Sequence, residues 1–229
     1  AGTIVGPLMG FRDSFFGSRD VNRSFFNGHA VRFRGEADLS SQIMVSAQAV
    51  YGDYDKIYSN AYPANAPDAN GFIGIEAYRD LLQRRNFIGQ ANLEWRGETG
   101  SIGHTLLVGA EVTDQRSVSE RINGFFPTLA NPLNRRTPVA LTRTPAVPTP
   151  VFIAGNVPGA GNRLIGGDLT QVSLYVQDQI KFGKHWQVIA GLRYDRLKIR
   201  VTSRFLNSTV ARTEGLWSPR LGLVFKPLP

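Results

Sequence analysis

The side chains able to do chemistry are few and badly spaced for catalysis. Three histidines are present, and His29, His104 and His185 fall in separate turns or strand ends. None forms the HxxxH or HExxH spacing that brings ligands onto one ion. Cysteine is absent, which excludes thiolate metal sites and a disulfide framework. The glycine-rich run GNVPGAGNRLIGG, residues 155–167, lacks the GK[ST] ending that cradles phosphate. GxGxxG after a strand and the GxSxG elbow are also missing. Glu94 and Glu111 lie on polar faces of neighbouring strands and are able to face each other. There they suit a solvated network better than an acid–base pair. The expectation is no enzyme, no catalytic residue, no metal site and no cofactor.

The cations have a location. The formal charge is +8, and five arginines (Arg121, Arg135, Arg136, Arg143 and Arg163) lie between positions 121 and 168 with one acid, Asp168. Phe125, Phe126 and Phe152 are interspersed. Arginine with aromatic rings suits an anionic, aromatic ligand, through ion pairing and cation–π contact. Arg135, Arg136, Arg143, Phe125 and Phe126 are the candidate binding residues. If the chain is extended at 135–136, the two side chains diverge and at most one need point inward. The same composition suits single-stranded nucleic acid, or a mobile basic loop whose only contact is anionic lipopolysaccharide.

The elements that position these residues show best at 169–194, LTQVSLYVQDQIKFGKHWQVIAGLRY. Val172, Leu174, Val176, Asp178, Ile180 and Phe182 alternate with Gln171, Ser173, Tyr175, Gln177, Gln179 and Lys181. After a Gly-Lys-His turn, Trp186, Val188, Ala190, Leu192 and Tyr194 resume the even set. A period of two means strand, and two runs across a tight turn make an antiparallel hairpin with one apolar and one polar face. After Tyr194 the phase flips to Leu197, Ile199 and Val201. Either a bulge or a strand leaving an apolar surroundings accounts for it, and the second is preferred.

The rest of the chain repeats the pattern. Residues 1–28 read as a loop without a signal peptide's basic start and apolar run. Strands are predicted near 29–39, 43–51, 87–95, 106–112 and 217–225. Residues 55–83 read as a long connection, and 121–168, holding seven of the thirteen prolines, as a longer one. Seven strands emerge, joined by connections that alternate short, long, short, long, short and intermediate. No run of eighteen apolar residues exists for a membrane helix, but a transmembrane strand needs only about 9–11 residues, half of them lipid-facing. On the apolar faces aromatic rings recur eight residues apart: Phe87 and Trp95, Trp186 and Tyr194, Trp217 and Phe225. Eight residues rise roughly 20 Å at a 40° tilt, close to the apolar band of about 25 Å bordered by aromatic girdles. Trp95, Phe182, Trp186 and Phe225 fall at the short-turn end, and Tyr51, Phe87, Tyr194 and Trp217 at the long-loop end.

The wording of the hairpin, LYVQDQIKFGKHWQVIAGLRYD, followed by WSPRLGLVFKP at 217–227, resembles the barrel of TonB-dependent outer-membrane receptors of the ferric-siderophore branch. The resemblance implies an all-β fold: an antiparallel up-and-down transmembrane β-barrel segment of about seven strands, with short periplasmic turns and long extracellular loops. It implies a Gram-negative outer membrane and import of an anionic ferric siderophore. The partners it implies are outer-membrane lipid and the TonB complex, the latter through a plug segment outside this chain, and nucleic acid is not among them. Seven strands cannot close the twenty-two-stranded barrel of the plugged transporters, so the whole chain, 1–229, reads as a partial barrel. Its KPLP end also departs from the aromatic-terminated strand of such barrels. A passive porin-like or adhesin-like barrel shares every physical feature above, and a soluble β-sheet binding module shares the alternation without the girdles.

Overall fold

A computed structural model describes residues 9–227, so the start of the expected N-terminal loop and the last two residues lie outside the described residues. Seven long antiparallel strands follow one another across a single sheet. They are β1 (Arg23–Asp38), β2 (Ile43–Pro63), β3 (Phe72–Thr99), β4 (Ile102–Phe125), β7 (Arg163–Phe182), β8 (Trp186–Ser203) and β9 (Ser208–Phe225). Two short ones, β5 (Thr137–Ala140) and β6 (Val151–Phe152), pair with β3 and β4. The sheet is open, and β1 and β9 form its edges.

The strands are the expected ones, but longer. Strand β3 has 28 residues, about 90 Å of extended chain, where a bilayer takes only about 9–11 residues. The predicted connection at 55–83 shrinks to residues 64–71, because β2 and β3 stay paired from Ile43↔Trp95 to Pro63↔Ile75. Likewise 121–168 shrinks to 126–162, with β5 and β6 inside it. Residues 100–101 and 183–185 make tight turns, where Gly100 and Gly183 adopt the left-handed φ that glycine tolerates. The β8–β9 connection, expected to be of intermediate length, is the tight turn 204–207.

Register fixes the faces, since directly paired residues of antiparallel strands share a side. One face, here the aromatic face, carries Tyr51, Phe87, Trp95, Phe182, Trp186, Tyr194, Trp217 and Phe225. The other, the polar face, carries Gln48, Gln90, Asn92, Glu111, Ser173, Gln177 and Arg193. Strand β8 pairs without interruption from Trp186 to Ser203. No bulge therefore causes the phase flip after Tyr194; the strand runs straight on into different surroundings.

The aromatics line up once tilt is considered. Trp95 shares a rung with Ala190 of β8, four residues from Trp186, and with Leu221 of β9, four from Phe225. Phe87 shares a rung with Lys198 and Thr213, again four residues from Tyr194 and Trp217. Four residues over the three strand steps from β3 to β8 correspond to a tilt of about 40°. Both rows are thus level on a tilted sheet.

The compact apolar core sits at the far end, away from the tight turns joining β3–β4 and β7–β8. Val21, Ala61, Ile73, Ile75, Ala77, Phe126 and Val139 are buried together, with Phe16, Leu141, Val147 and Phe152 against them. Arg79 lies over the Phe152 ring at 4.4 Å. This cluster clamps the 126–162 connection and residues 16–21 onto β2 and β3.

Candidate ligand site on the polar face

Beyond the Phe87 row, β2 and β3 place three tyrosines on the polar face. Tyr58 and Tyr62 come from β2 and Tyr78 from β3, with ring centroids 5.9 Å and 5.7 Å from Tyr78. Arg121 of β4 lies over the Tyr78 ring at 4.3 Å. Its guanidinium is held by a forked interaction with Asp80, in which Nε donates to Oδ1 at 2.6 Å. Asp80 and Tyr58 share a rung, as do Asp80 and Arg121, which explains the assembly: three adjacent strands in fixed register present one rung to the same side. An open cleft of about 380 Å³ adjoins them, its walls including Lys56, Tyr58, Asp80, Arg121 and Arg163.

The 126–162 connection adds two more cations. Arg135 donates to Asn123 Oδ1 at 3.0 Å, and Arg136 Nε donates to Glu76 Oε1 at 3.0 Å. Asn123 pairs with Tyr78, and Glu76 with Tyr62, so both arginines reach the same face. Residues 134–136 are not extended strand, so the condition under which the two side chains would diverge does not arise. Tyr62 donates to Glu76 Oε2 at 3.4 Å. Burial raises the Tyr62 phenol above the ordinary tyrosine range, and Glu76 adds to it while Arg135 and Arg121 pull back. Burial and Tyr58 raise Tyr78 in the same way, against Arg121. Hydrogen bonding to Asp80 raises the Arg121 guanidinium above its ordinary range, although burial pulls it down. The phenols therefore stay neutral and the guanidinium charged at neutral pH.

Phe125 and Phe126 are placed differently from expectation. Phe125 is 0% exposed and Phe126 6%, the latter inside the apolar core. Neither ring face is open for stacking; packing a proline-rich connection against a sheet needs its own apolar anchors. Arg143 is exposed, with no hydrogen bond or ion pair among the described residues. The tyrosines escaped sequence reading because they lie in 55–83, taken as a connection. The spacing Tyr54, Tyr58, Tyr62, on alternate residues of one face, was the available signal.

Nearer the β3–β4 and β7–β8 turns, a second polar network links four strands, β3, β4, β7 and β8. Arg193 donates through Nη2 to Glu111 at 3.1 Å and Ser173 at 2.8 Å, and through Nε to Asp195 at 2.8 Å. Gln90 donates to the Tyr175 hydroxyl at 2.7 Å, and that hydroxyl donates on to Asn92. Tyr175 lies across Gly109, where an added Cβ would stand 2.3 Å from its ring. Glu94 is paired with Arg96 instead, so the two glutamates do not form a carboxylate pair.

Known proteins share this fold. A family model described as TonB dependent receptor-like, beta-barrel, matches residues 5–229. The chain belongs to the TonB-dependent receptor family, within its β-barrel. Its relatives include a probable TonB-dependent receptor, BfrD, of Bordetella pertussis, 27% identical over 246 residues that take in all of this chain and 32% of that protein. The metal-pseudopaline receptor CntO of Pseudomonas aeruginosa is 24% identical over 95% of this chain and 30% of its own length. The chain thus spans about a third of the curated relatives it matches. Among solved structures, the siderophore receptor PiuA from Acinetobacter baumannii superposes with a TM-score of 0.72 at 18% identity, over 93% of this chain and 32% of that one. The open form of the ferric-catecholate import receptor Fiu from E. coli K12 gives 0.74 at 15% identity, over 94% and 35%.

TonB-dependent receptors are outer-membrane barrels of Gram-negative bacteria and form a receptor and transporter family rather than an enzyme class. In such a barrel the polar face lines the lumen; the end whose connections are all short, here 39–42, 100–101 and 183–185, is periplasmic, and the end carrying the long 126–162 connection is extracellular. The tyrosine–arginine cluster accordingly lies on the lumen side, beyond the outer aromatic row.

Proposed function

We propose that this chain forms the extracellular part of the binding surface of a ferric-siderophore importer driven through TonB. One observation carries the reading: Tyr58, Tyr62 and Tyr78 stand together beside Arg121 on the lumen face, outside the membrane band. Neutral phenols supply stacking and hydrogen bonds, and guanidinium over an aromatic ring supplies charge without losing the apolar surface. Among the described residues, Lys56, Arg121, Arg135, Arg136 and Arg163 face two nearby carboxylates, Asp80 and Glu76. The excess suits an anionic, aromatic complex such as a ferric catecholate, for which Arg143 on the exposed connection offers a first encounter. Names of relatives and structural neighbours that include siderophore receptors support the same substrate class. The rest of the barrel, a plug and the TonB-contacting segment belong, on this reading, to the two thirds of the relatives' length beyond this match. Membrane lipid surrounds the aromatic face.

The test uses the full-length receptor and a ferric tris-catecholate complex. Arg121→Gln with Arg135→Gln and Arg136→Gln should weaken binding at least about tenfold, equivalent to ~1.4 kcal/mol. The loss should shrink at high salt, where charge is screened. Unchanged affinity at both ionic strengths overturns the site. Uptake that persists in cells lacking TonB would instead make the protein a passive, porin-like barrel.

A further inference from the structure

Beyond the outer aromatic row, the lipid-side face of β8 carries three cations in succession: Arg196, Lys198 and Arg200, all exposed. Unbroken pairing with β7 and β9 keeps them on the face of Leu192 and Tyr194. Same-face residues of a strand lie about 6.6 Å apart, so at the tilt above they stand roughly 5, 10 and 15 Å beyond the Tyr194 level. Their neighbours do not neutralise them. Arg196 lies between Val172 and Gly215, and Lys198 between Thr170 and Thr213. Arg200 lies between Ala211 and Asp168, the one acid beside the row.

Two other outward cations at this height are already committed. Arg85 pairs with Asp53 at 3.3 Å and Arg116 with Asp114 at 3.5 Å. Arg196, Lys198 and Arg200 have no ion pair or hydrogen bond among the described residues, and strand register places them at one edge of the apolar band.

We propose that Arg196, Lys198 and Arg200 bind the phosphate groups of the outer-leaflet lipid, lipopolysaccharide. The position decides the class of anion. These side chains do not line the lumen; they continue the lipid-facing surface outward from Tyr194 and Trp217, whose ring centroids lie 4.7 Å apart at a tilt of 41°. Long basic side chains there lay their stems on the aromatic row and hold their charges at headgroup height. A column of cations matches a headgroup that carries phosphate at more than one depth. The proposal rests on the outer-membrane placement of the barrel and is independent of the siderophore reading.

The experiment places the full-length receptor in phosphatidylcholine vesicles with or without diphosphoryl lipid A and follows thermal unfolding and ferric-catecholate binding together. Diphosphoryl lipid A should raise the wild-type midpoint by about 3–5 °C. Replacing all three residues with Gln should abolish that gain while ferric-catecholate binding stays unchanged. Arg196→Lys with Arg200→Lys, which keeps the charge, should retain most of it and shows that the face tolerates substitution. A gain that survives in the triple Gln variant overturns the proposal. So does an equal gain from dephosphorylated lipid A, which would assign it to acyl chains, or from inorganic phosphate, which would assign a free-anion site. Loss of siderophore binding in the wild type would strike the proposed substrate and leave this result standing.

Discussion

Asp178 is the residue whose position conflicts most with its chemistry. It lies on the aromatic face among Val176, Ile180 and Phe182, where a carboxylate meets lipid. The conflict is resolved by His104 of the adjacent strand, whose Nδ1 lies 2.7 Å from Asp178 Oδ2. Trp95 stacks on that imidazole, ring centroids 6.4 Å apart at 28°. Both polar side chains are about four-fifths covered, at 19% and 23% exposure, and Asp178 Oδ1 has no partner among the described residues. Nearness to the periplasmic rim, where Trp95 sits, makes the arrangement affordable. His104→Leu should destabilise the folded receptor by about 1–3 kcal/mol, the cost of an acceptor left unpaired out of water. Adding Asp178→Leu should recover most of it. Urea unfolding of the full-length receptor in lipid measures both, and a double variant no better than the single would show that the pair is not coupled.

At the scale of strands, lipid explains which parts of the sequence can be read. Between the aromatic rows every second residue, the paired Asp178 apart, is apolar, so β7, β8 and the lower half of β3 announce themselves. Outside the rows both faces meet water or loops, and alternation is no longer enforced. Residues 55–63 and 72–83 therefore read as a connection although the backbone ladder continues through them. The site was lost with them: the arginines were visible as a cluster, whereas Tyr58, Tyr62 and Tyr78 were hidden in a segment assigned to a loop. Phe125 and Phe126 failed for a different reason, because sequence shows an aromatic but not whether a connection packs it inward. The rows also set a depth scale. On β7 the levels of Phe87 and Trp95 fall near 172–173 and 180–181, which puts Val176 close to the midplane. Val176→Arg should cost about 2–4 kcal/mol of folding free energy in lipid, Leu174→Arg less because it lies nearer the rim, and lumen-facing Gln177→Arg little. Equal costs at Val176 and Gln177 would overturn the face assignment, and equal costs at Val176 and Leu174 the depth scale.

For the chain as a whole, the decisive fact is the open sheet. Among the described residues, strand β1 is hydrogen-bonded only to β2 and β9 only to β8, leaving two long edges of unpaired backbone groups. In hydrocarbon such edges are not tolerated, and in water they template pairing with other chains. The apolar surface adds to the problem: Phe33 is 65% exposed, Val31 69%, Trp217 66% and Leu221 82%. Against this stands the net charge of +8, whose repulsion opposes association. Repulsion between exposed charges fades beyond a Debye length of about 8 Å at physiological salt, whereas burying one Leu or Phe contributes roughly 1.5–3 kcal/mol regardless of salt. Association should therefore win. Residues 1–229 expressed alone should sediment as a broad distribution of oligomers in plain buffer, and raising salt from about 50 to 500 mM should drive it to larger species as screening removes the remaining repulsion. Sedimentation velocity at the two salt concentrations makes the measurement. A single monomeric species that unfolds cooperatively without detergent would mean that the aromatic face is covered in water by this chain itself, and the lipid-facing assignment would fall with it.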